Sequence, residues 1–219
     1  LEVYSWLDDK LDVLPLGYGA NAEKVILDSL KAHPEWSDQI VSFLWALDVT
    51  DIFRIQVIRN DKGLETVGIS HCFVNAKGTE AYGQTFMNES LSLRRLILIA
   101  VSFFEAFSKE KIIVIDDFGQ LLHPYVLTHI VEIFHANDME SQLIVVDCNP
   151  ALLQKDLMRK DSIWFAEKGE ESSTEFVSLS DFRGIKAKQS IYDGYLQGIF
   201  GALPIESDFC FQNKVKENN

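Results

Sequence analysis

The sequence has little of what marks a membrane protein, a secreted protein or a nucleic-acid binder. No window is apolar for the ~18–20 residues that a membrane span requires, and the longest apolar run, Leu96 to Phe107, is interrupted by Ser102 and Glu105. The opening residues Leu1-Glu2-Val3-Tyr4 lack a basic stretch and a cleavage site, so no secretory leader is legible. The three cysteines, Cys72, Cys148 and Cys210, are odd in number, widely spaced and never arranged as CxxC. That argues against a disulfide framework or a zinc site and for a reducing, cytoplasmic setting. Basic residues are scarce: 20 Lys and Arg against 33 Asp and Glu give a net charge of −13. Such a balance disfavours a phosphate-tracking surface over the whole chain, so nucleic acid is not indicated as a partner, although a local basic patch is compatible with it. The chain also begins at Leu1, without an initiator methionine and inside what reads as a helix, and is expected to be a piece of something longer.

What is present is ordinary globular protein. With 219 residues, 47% of them hydrophobic and 24% charged, the chain can bury a substantial core in one domain, or in one domain with an appended lobe. Helical spacing of apolar residues runs over Leu1 to Leu11 and, after the Pro15/Gly17/Gly19 break, over Asn21 to Ala32, with Asn21 a candidate N-cap. A further short helix is expected over Asp38 to Leu47. The stretch from Asp51 to Phe86 alternates apolar and polar residues, with turn signals at Asn60–Gly63 and Asn75–Gly78, and predicts a meander of about three strands. Then the pattern changes to helices over Leu93–Phe107, Tyr125–His135 and Ala151–Met158, alternating with buried strands over Ile112–Ile115 and Gln142–Val146. "SIWFAEK" and "TEFVSLSDF" predict two antiparallel strands. Short apolar strands alternating with helices imply an α/β sheet covered on both faces, and ligands in such sheets sit at the carboxyl ends of the strands. Asp116, Asp117, Asp147 and Cys148 all fall there.

"KEKIIVIDDFGQLLHP", Lys109 to Pro124, holds the sharpest signal. Four β-branched residues lead straight into Asp116-Asp117, where adjacent like charges are costly to bury. Three chemical readings and one bland one fit an acidic pair at a strand end. They are a metal–nucleotide site, a phosphoacceptor pocket of the response-regulator type with Asp147 as acceptor, a metal nuclease using Asp116, Asp117 and Asp147, and a merely solvated strand end. The receiver reading expects the chain to start near this strand and another strand between Asp117 and Asp147. The nuclease reading expects a further Glu or Lys at matched spacing, and none stands out.

The order and spacing of the surrounding motifs favour the first through a resemblance. From Asn88 to Leu153 the chain reads "NESLSLRRLILIAVSFFEAFSKEKIIVIDDFGQLLHPYVLTHIVEIFHANDMESQLIVVDCNPALL", followed by "DSIWFAEK", "FVSLSDFR" and "YLQGIFGALPIE". This succession resembles the C-terminal half of an ATP-binding-cassette-type ATPase of the prokaryotic abortive-infection and phage-defence group, related to the overcoming-lysogenisation-defect ATPases. The resemblance covers about Ser70 to Glu206. It implies a P-loop-NTPase-like (ABC-type) α/β sheet with flanking helices, preceded by a helical and β-meander segment. The corresponding domain layout is a helical lobe over 1–48, a meander over 49–88, the ATPase half over 89–206 and a tail over 207–219.

The resemblance also implies roles. Asp116 stands where the family's Walker B strand holds Mg2+ through water, and Asp117 where an acid positions the attacking water. Ser90 matches the signature serine that contacts a γ-phosphate across a head-to-tail dimer, Ser92 stands in place of the signature glycine, and His123-Pro124 belongs to the D-loop, whose Asp is replaced by Gly119; Ser90, Ser92 and His123 are the nucleotide-binding residues the resemblance implies. Cys148 aligns with the switch histidine. The implied cofactors are ATP and Mg2+. The implied partners are the N-terminal half of the same ATPase, a second copy of the chain and an effector such as a nuclease subunit, with no membrane involved.

The departures fall on catalytic positions. Asp117 replaces a glutamate and its carboxylate would fall short by ~1.5 Å, an error of the order that can cost ~10²-fold in rate. A thiol at position 148 is a weak donor and mostly neutral at pH 7. Ser92 adds a Cβ where backbone approaches phosphate closely, and it also reads as a helix N-cap. The P-loop pattern GxxxxGK[ST] does not occur in the 219 residues, and "LGYGANAEK" has neither its spacing nor its Gly-Lys-Ser/Thr. A degenerate, non-hydrolysing scaffold subunit is therefore the alternative. The remaining polar residues read blandly: His71, His129 and His135 as surface or packing residues, Cys148 as a small buried apolar residue, Arg94-Arg95 as solvated or paired with Glu89, with a phosphate role the minority alternative, and His123 as a structural residue orienting the D-loop.

Overall fold

The computed structural model describes residues 2–14, 20–59, 61–137, 140–154, 157–169, 171, 173–183 and 190–204. The Pro15/Gly17/Gly19 break, the first four residues of the "LGYGANAEK" segment and the tail over 207–219 lie outside them. The chain divides into two compact units after Ala151.

The first unit begins with helix α1 (Glu2–Lys10), strand β1 (Leu11–Val13), helix α2 (Ala20–Ala32) and helix α3 (Trp36–Ala46). A meander follows, with β2 (Ile52–Arg59), β3 (Glu65–Asn75) and β4 (Gly78–Thr85) paired antiparallel in sequence order. The long helix α4 (Leu91–Lys109) leads into β5 (Ile112–Ile115), helix α5 (Pro124–Ala136) and β6 (Gln142–Val145). Strands β1, β5 and β6 form a parallel sheet in that order, with Val13 opposite Val114 and Val114 opposite Ile144. The fold is thus α/β, a parallel sheet with flanking helices preceded by a helical and meander segment, which is the layout expected from the sequence.

Helix α4 organises this unit. Leu96 to Val101 are all buried, as are Phe103 and Ala106, so the helix is apolar almost all round, as a helix inside a core must be. It packs on α2, α3 and β5. Aromatic contacts tie the helices together: Phe103 meets Phe43 of α3 at 6.3 Å and Phe134 of α5 at 5.1 Å, edge to face in both cases. Such pairs add about 0.5–1.5 kcal/mol beyond the area they bury.

Several sequence expectations are corrected here. β1 was not expected, because its three residues continue the apolar spacing of α1. Strand β5 is not buried throughout: Ile113 and Ile115 are, while Ile112 and Val114 are half-buried. The expected sheet covered on both faces has one face partly open, with Val13 58% exposed, Ile144 41% and Val146 54%. α2 begins at Ala20, so Asn21 lies within it rather than capping it. Where a short helix was expected over Ala151–Met158, the described residues hold a 3-10 turn, Pro150–Leu153.

In the second unit, β7 (Trp164–Lys168) and β8 (Thr174–Ser178) pair antiparallel, as expected, and are followed by helix α6 (Ile191–Leu196). Ile163, Phe165, Leu179 and Phe200 form its core. Phe165 stacks on Phe200 at 5.4 Å and on Tyr195 at 5.7 Å.

Candidate functional site

Asp116 and Asp117 follow directly on β5, at its carboxyl end, and both are exposed. The Asp116 carboxylate accepts the Asp117 backbone N–H at 3.0 Å through Oδ1, which leaves Oδ2 outside that bond. Asp117 has φ +46 and Leu121, four residues on, φ +66. Left-handed backbone suits Asp tolerably, but for Leu it carries strain that the surroundings must over-determine.

The surroundings do so from α4. Ser92 Oγ donates to the Leu121 carbonyl at 2.9 Å. Arg95, only 2% exposed, donates from Nη2 to the carbonyls of Asp116 at 3.2 Å and Asp117 at 3.0 Å. The solvated or Glu89-paired arginine expected at this position is therefore corrected: Arg95 lies inside the unit and grips the strand tip. Arg94 lies with its guanidinium 5.9 Å from the centre of the Phe86 ring.

Ser90 is the N-cap of α4, accepting the Leu93 N–H at 3.2 Å. Capping uses its acceptor capacity and leaves the hydroxyl proton available as a donor. Ser92, weighed as a cap, is not one. His123 caps α5, its Nδ1 accepting the Tyr125 N–H at 3.2 Å, with Pro124 in the first turn.

The Asp147 carboxylate is committed to backbone. One oxygen takes the Gly119 N–H and the other the Asn149 N–H at 2.8 Å. Gly119 is closely approached: a Cβ there would lie 2.7 Å from Asp147 Oδ2 and 2.8 Å from Leu127 Cδ2, so those side-chain ends would have to shift. Asp147 thus ties the loop after β5 to the loop after β6. Cys148 is exposed, which corrects its expectation as a small buried apolar residue. It stands beside Asp147 beyond the end of β6.

The sequence missed one polar centre altogether. His71, on β3 and 4% exposed, contacts Asp51 at 2.7 Å through Nδ1 and Glu89 at 2.8 Å through Nε2. It also stacks on Tyr82 at 4.8 Å. Burial pushes its pKa down, but the hydrogen bonds and charges of Asp51 and Glu89 outweigh burial, and the net shift is upward. Glu89 immediately precedes Ser90, so this contact ties the meander to the start of α4. The partners lie 20 and 18 positions away in sequence, and no spacing signal could have joined them.

As a cation site, the strand tip offers hard carboxylate oxygens. Mg2+ keeps several waters and is held by one or two carboxylates together with phosphate oxygens, without a protein cage. The exposed Asp116-Asp117 pair fits that demand. Among the described residues no group of three or more His, Cys, Asp or Glu side chains is placed to hold a metal ion.

No family model matches the chain, and no curated protein matches it. Among solved structures, it overlaps a chain from work on the ATP-driven dimerization and DNA-stimulated activation of SMC ATPases, at 13% identity and a TM-score of 0.49, over 68% of this chain and 86% of that one. It overlaps an SMC head solved bound to the C-winged helix domain of ScpA at 14% identity and a TM-score of 0.43, over 68% of this chain and 43% of that one. At these scores neither neighbour assigns an activity to this chain. No described helix is long and apolar enough to cross a membrane.

Proposed function

We propose that this chain is the C-terminal half of an ATP-binding-cassette-type domain. It binds ATP with Mg2+ jointly with a P-loop supplied by the N-terminal half of the same ATPase, at a head-to-tail interface between two copies. Its nucleotide state gates a partner effector, such as a nuclease subunit, in phage defence. The observation that carries this reading is the outward-facing acidic pair at the carboxyl end of a parallel strand, fixed against α4 by Arg95, with Ser92 holding Leu121 in the loop beyond. Two motifs far apart in sequence, the "ESLSL" start of a helix and the "IIVIDD" strand, are thereby held in a fixed relation, so that the acids of one site and the serine offered to the opposite copy's site move together.

In this reading Asp116 holds Mg2+ through water, Asp117 orients water, and the Ser90 hydroxyl donates to a γ-phosphate on the opposite copy. Bound Mg2+ would supply neutralisation of charge on the transferred phosphoryl group. Turnover is expected to be slow, since Asp117 is short and Cys148 is a poor donor, and at the limit of no turnover the chain is a nucleotide-binding scaffold.

Two variants of the natural full-length protein separate these outcomes. Asp116→Ala is expected to abolish the Mg2+-dependent part of ATP-analogue binding measured by fluorescence. Asp117→Glu, which restores the missing methylene, is expected to raise phosphate release by about tenfold or more. Binding untouched by Asp116→Ala would overturn the nucleotide reading. Binding that needs Asp116, with phosphate release absent even in Asp117→Glu, would establish the scaffold.

A further inference from the structure

The geometry points to Arg95 as a positioning residue for the acidic pair. Its guanidinium holds the backbone from which the two carboxylates project, alongside the Asp116 carboxylate's own bond to the Asp117 N–H. This inference rests on the nucleotide reading of the strand tip and adds to it the residue that sets its geometry.

Three observations converge on it. First, Arg95 is buried to 2% exposure, and its guanidinium remains charged at any working pH. A buried cation is costly unless hydrogen-bonded, and here one terminal nitrogen takes two successive backbone carbonyls, those of Asp116 and Asp117. Two carbonyls turned inward toward the same donor fix the peptide between the acids. Second, that peptide is the strained one, leading into the left-handed Asp117 with φ +46. Relaxing Asp117 to ordinary backbone would swing its carbonyl and carboxylate together, and the bond from Arg95 opposes that rotation. Third, the grip comes from the same helix that Ser90 caps and that Ser92 ties to Leu121. Any shift of α4 is transmitted to the acids through Arg95 as a rigid link about one turn beyond the cap.

Arg95 touches neither nucleotide nor metal in this scheme; it acts through the backbone of residues that do. Both bonds leave from one nitrogen, and the planar guanidinium fixes the directions of its two N–H groups. A lysine at position 95 would keep the charge, but its single ammonium on a flexible stem is less able to hold both carbonyls. A methionine would fill the space and hold neither.

The test measures, in the full-length protein, the Mg2+ concentration that half-saturates ATP-analogue binding, alongside analogue affinity without Mg2+ and the thermal midpoint. Wild type, Arg95→Lys, Arg95→Met and Asp116→Ala are compared. The expected result is a graded rise in the half-saturating Mg2+, a few-fold for Lys and about tenfold to a hundredfold for Met, with Mg2+-free affinity unchanged. A role confined to packing would lower the thermal midpoint and leave the Mg2+ requirement where it was. If Asp116→Ala moves the requirement and a folded Arg95→Met does not, the positioning role is overturned while the nucleotide site stands. If Asp116→Ala moves nothing, the nucleotide reading itself fails. Should Met unfold the chain, Arg95→Lys decides alone, and a wild-type Mg2+ requirement in that variant overturns the proposal.

Discussion

At His71 two opposing effects meet. Burial disfavours the imidazolium, while Asp51 on one ring nitrogen and Glu89 on the other favour it, and the balance raises the pKa. A histidine bound more tightly to its proton when folded adds stability below its ordinary value of about 6.5, and that stability is lost as pH rises through the raised folded value. His71→Gln leaves Glu89 buried beside a neutral partner. It is expected to cost about 3 kcal/mol near pH 6, and the difference from wild type should shrink above neutrality. Urea midpoints measured from pH 6 to 9 check this, and a difference that grows with pH would refute the assigned proton. His71 was illegible in the sequence because its partners are remote. Arg95 was illegible for another reason: beside Arg94 at a helix start, an arginine is indistinguishable from a solvated one until the strand tip it grips has been placed.

At the level of elements, legibility followed the strength of the local pattern. The meander, α4, β5 and α5 were all visible because long alternation or long helical spacing leaves little choice of structure. β1 was not, since three residues carry no period of their own, and the open face of the parallel sheet was not, since hydrophobic strands imply cover without naming its source. Helix α4 also shows how capping and chemistry share one side chain. Ser90→Ala removes the cap and is expected to cost about 1 kcal/mol, whereas Ser90→Gly costs only about a few tenths. If the hydroxyl also contacts phosphate, both variants lose ATP-analogue affinity to a similar extent despite their different stabilities. Affinity that tracks the denaturation midpoints instead would confine Ser90 to capping.

Over the whole molecule, the α/β layout, the parallel sheet and the antiparallel pair of the second unit all agree with what the sequence pattern implied. What the pattern could not supply is the direction of the acidic side chains, because adjacent carboxylates after a strand are equally compatible with a cap, a sink of solvent or a site. Exposure of Asp116 and Asp117, together with commitment of Asp147 to Gly119 and Asn149, narrows those options to a pair facing outward. The net charge of −13 sharpens the point: an acidic molecule attracts divalent cations in general, so occupancy must be read at a defined place rather than as bulk uptake. The most direct measurement is a crystal structure of the full-length protein grown with Mn2+ and a non-hydrolysable ATP analogue, with the anomalous signal locating the manganese. The expected peak lies one water layer from the Asp116 carboxylate, between it and the analogue's phosphates. Nucleotide bound with manganese elsewhere, or manganese scattered over surface acids with the strand tip empty, would contradict the central claim.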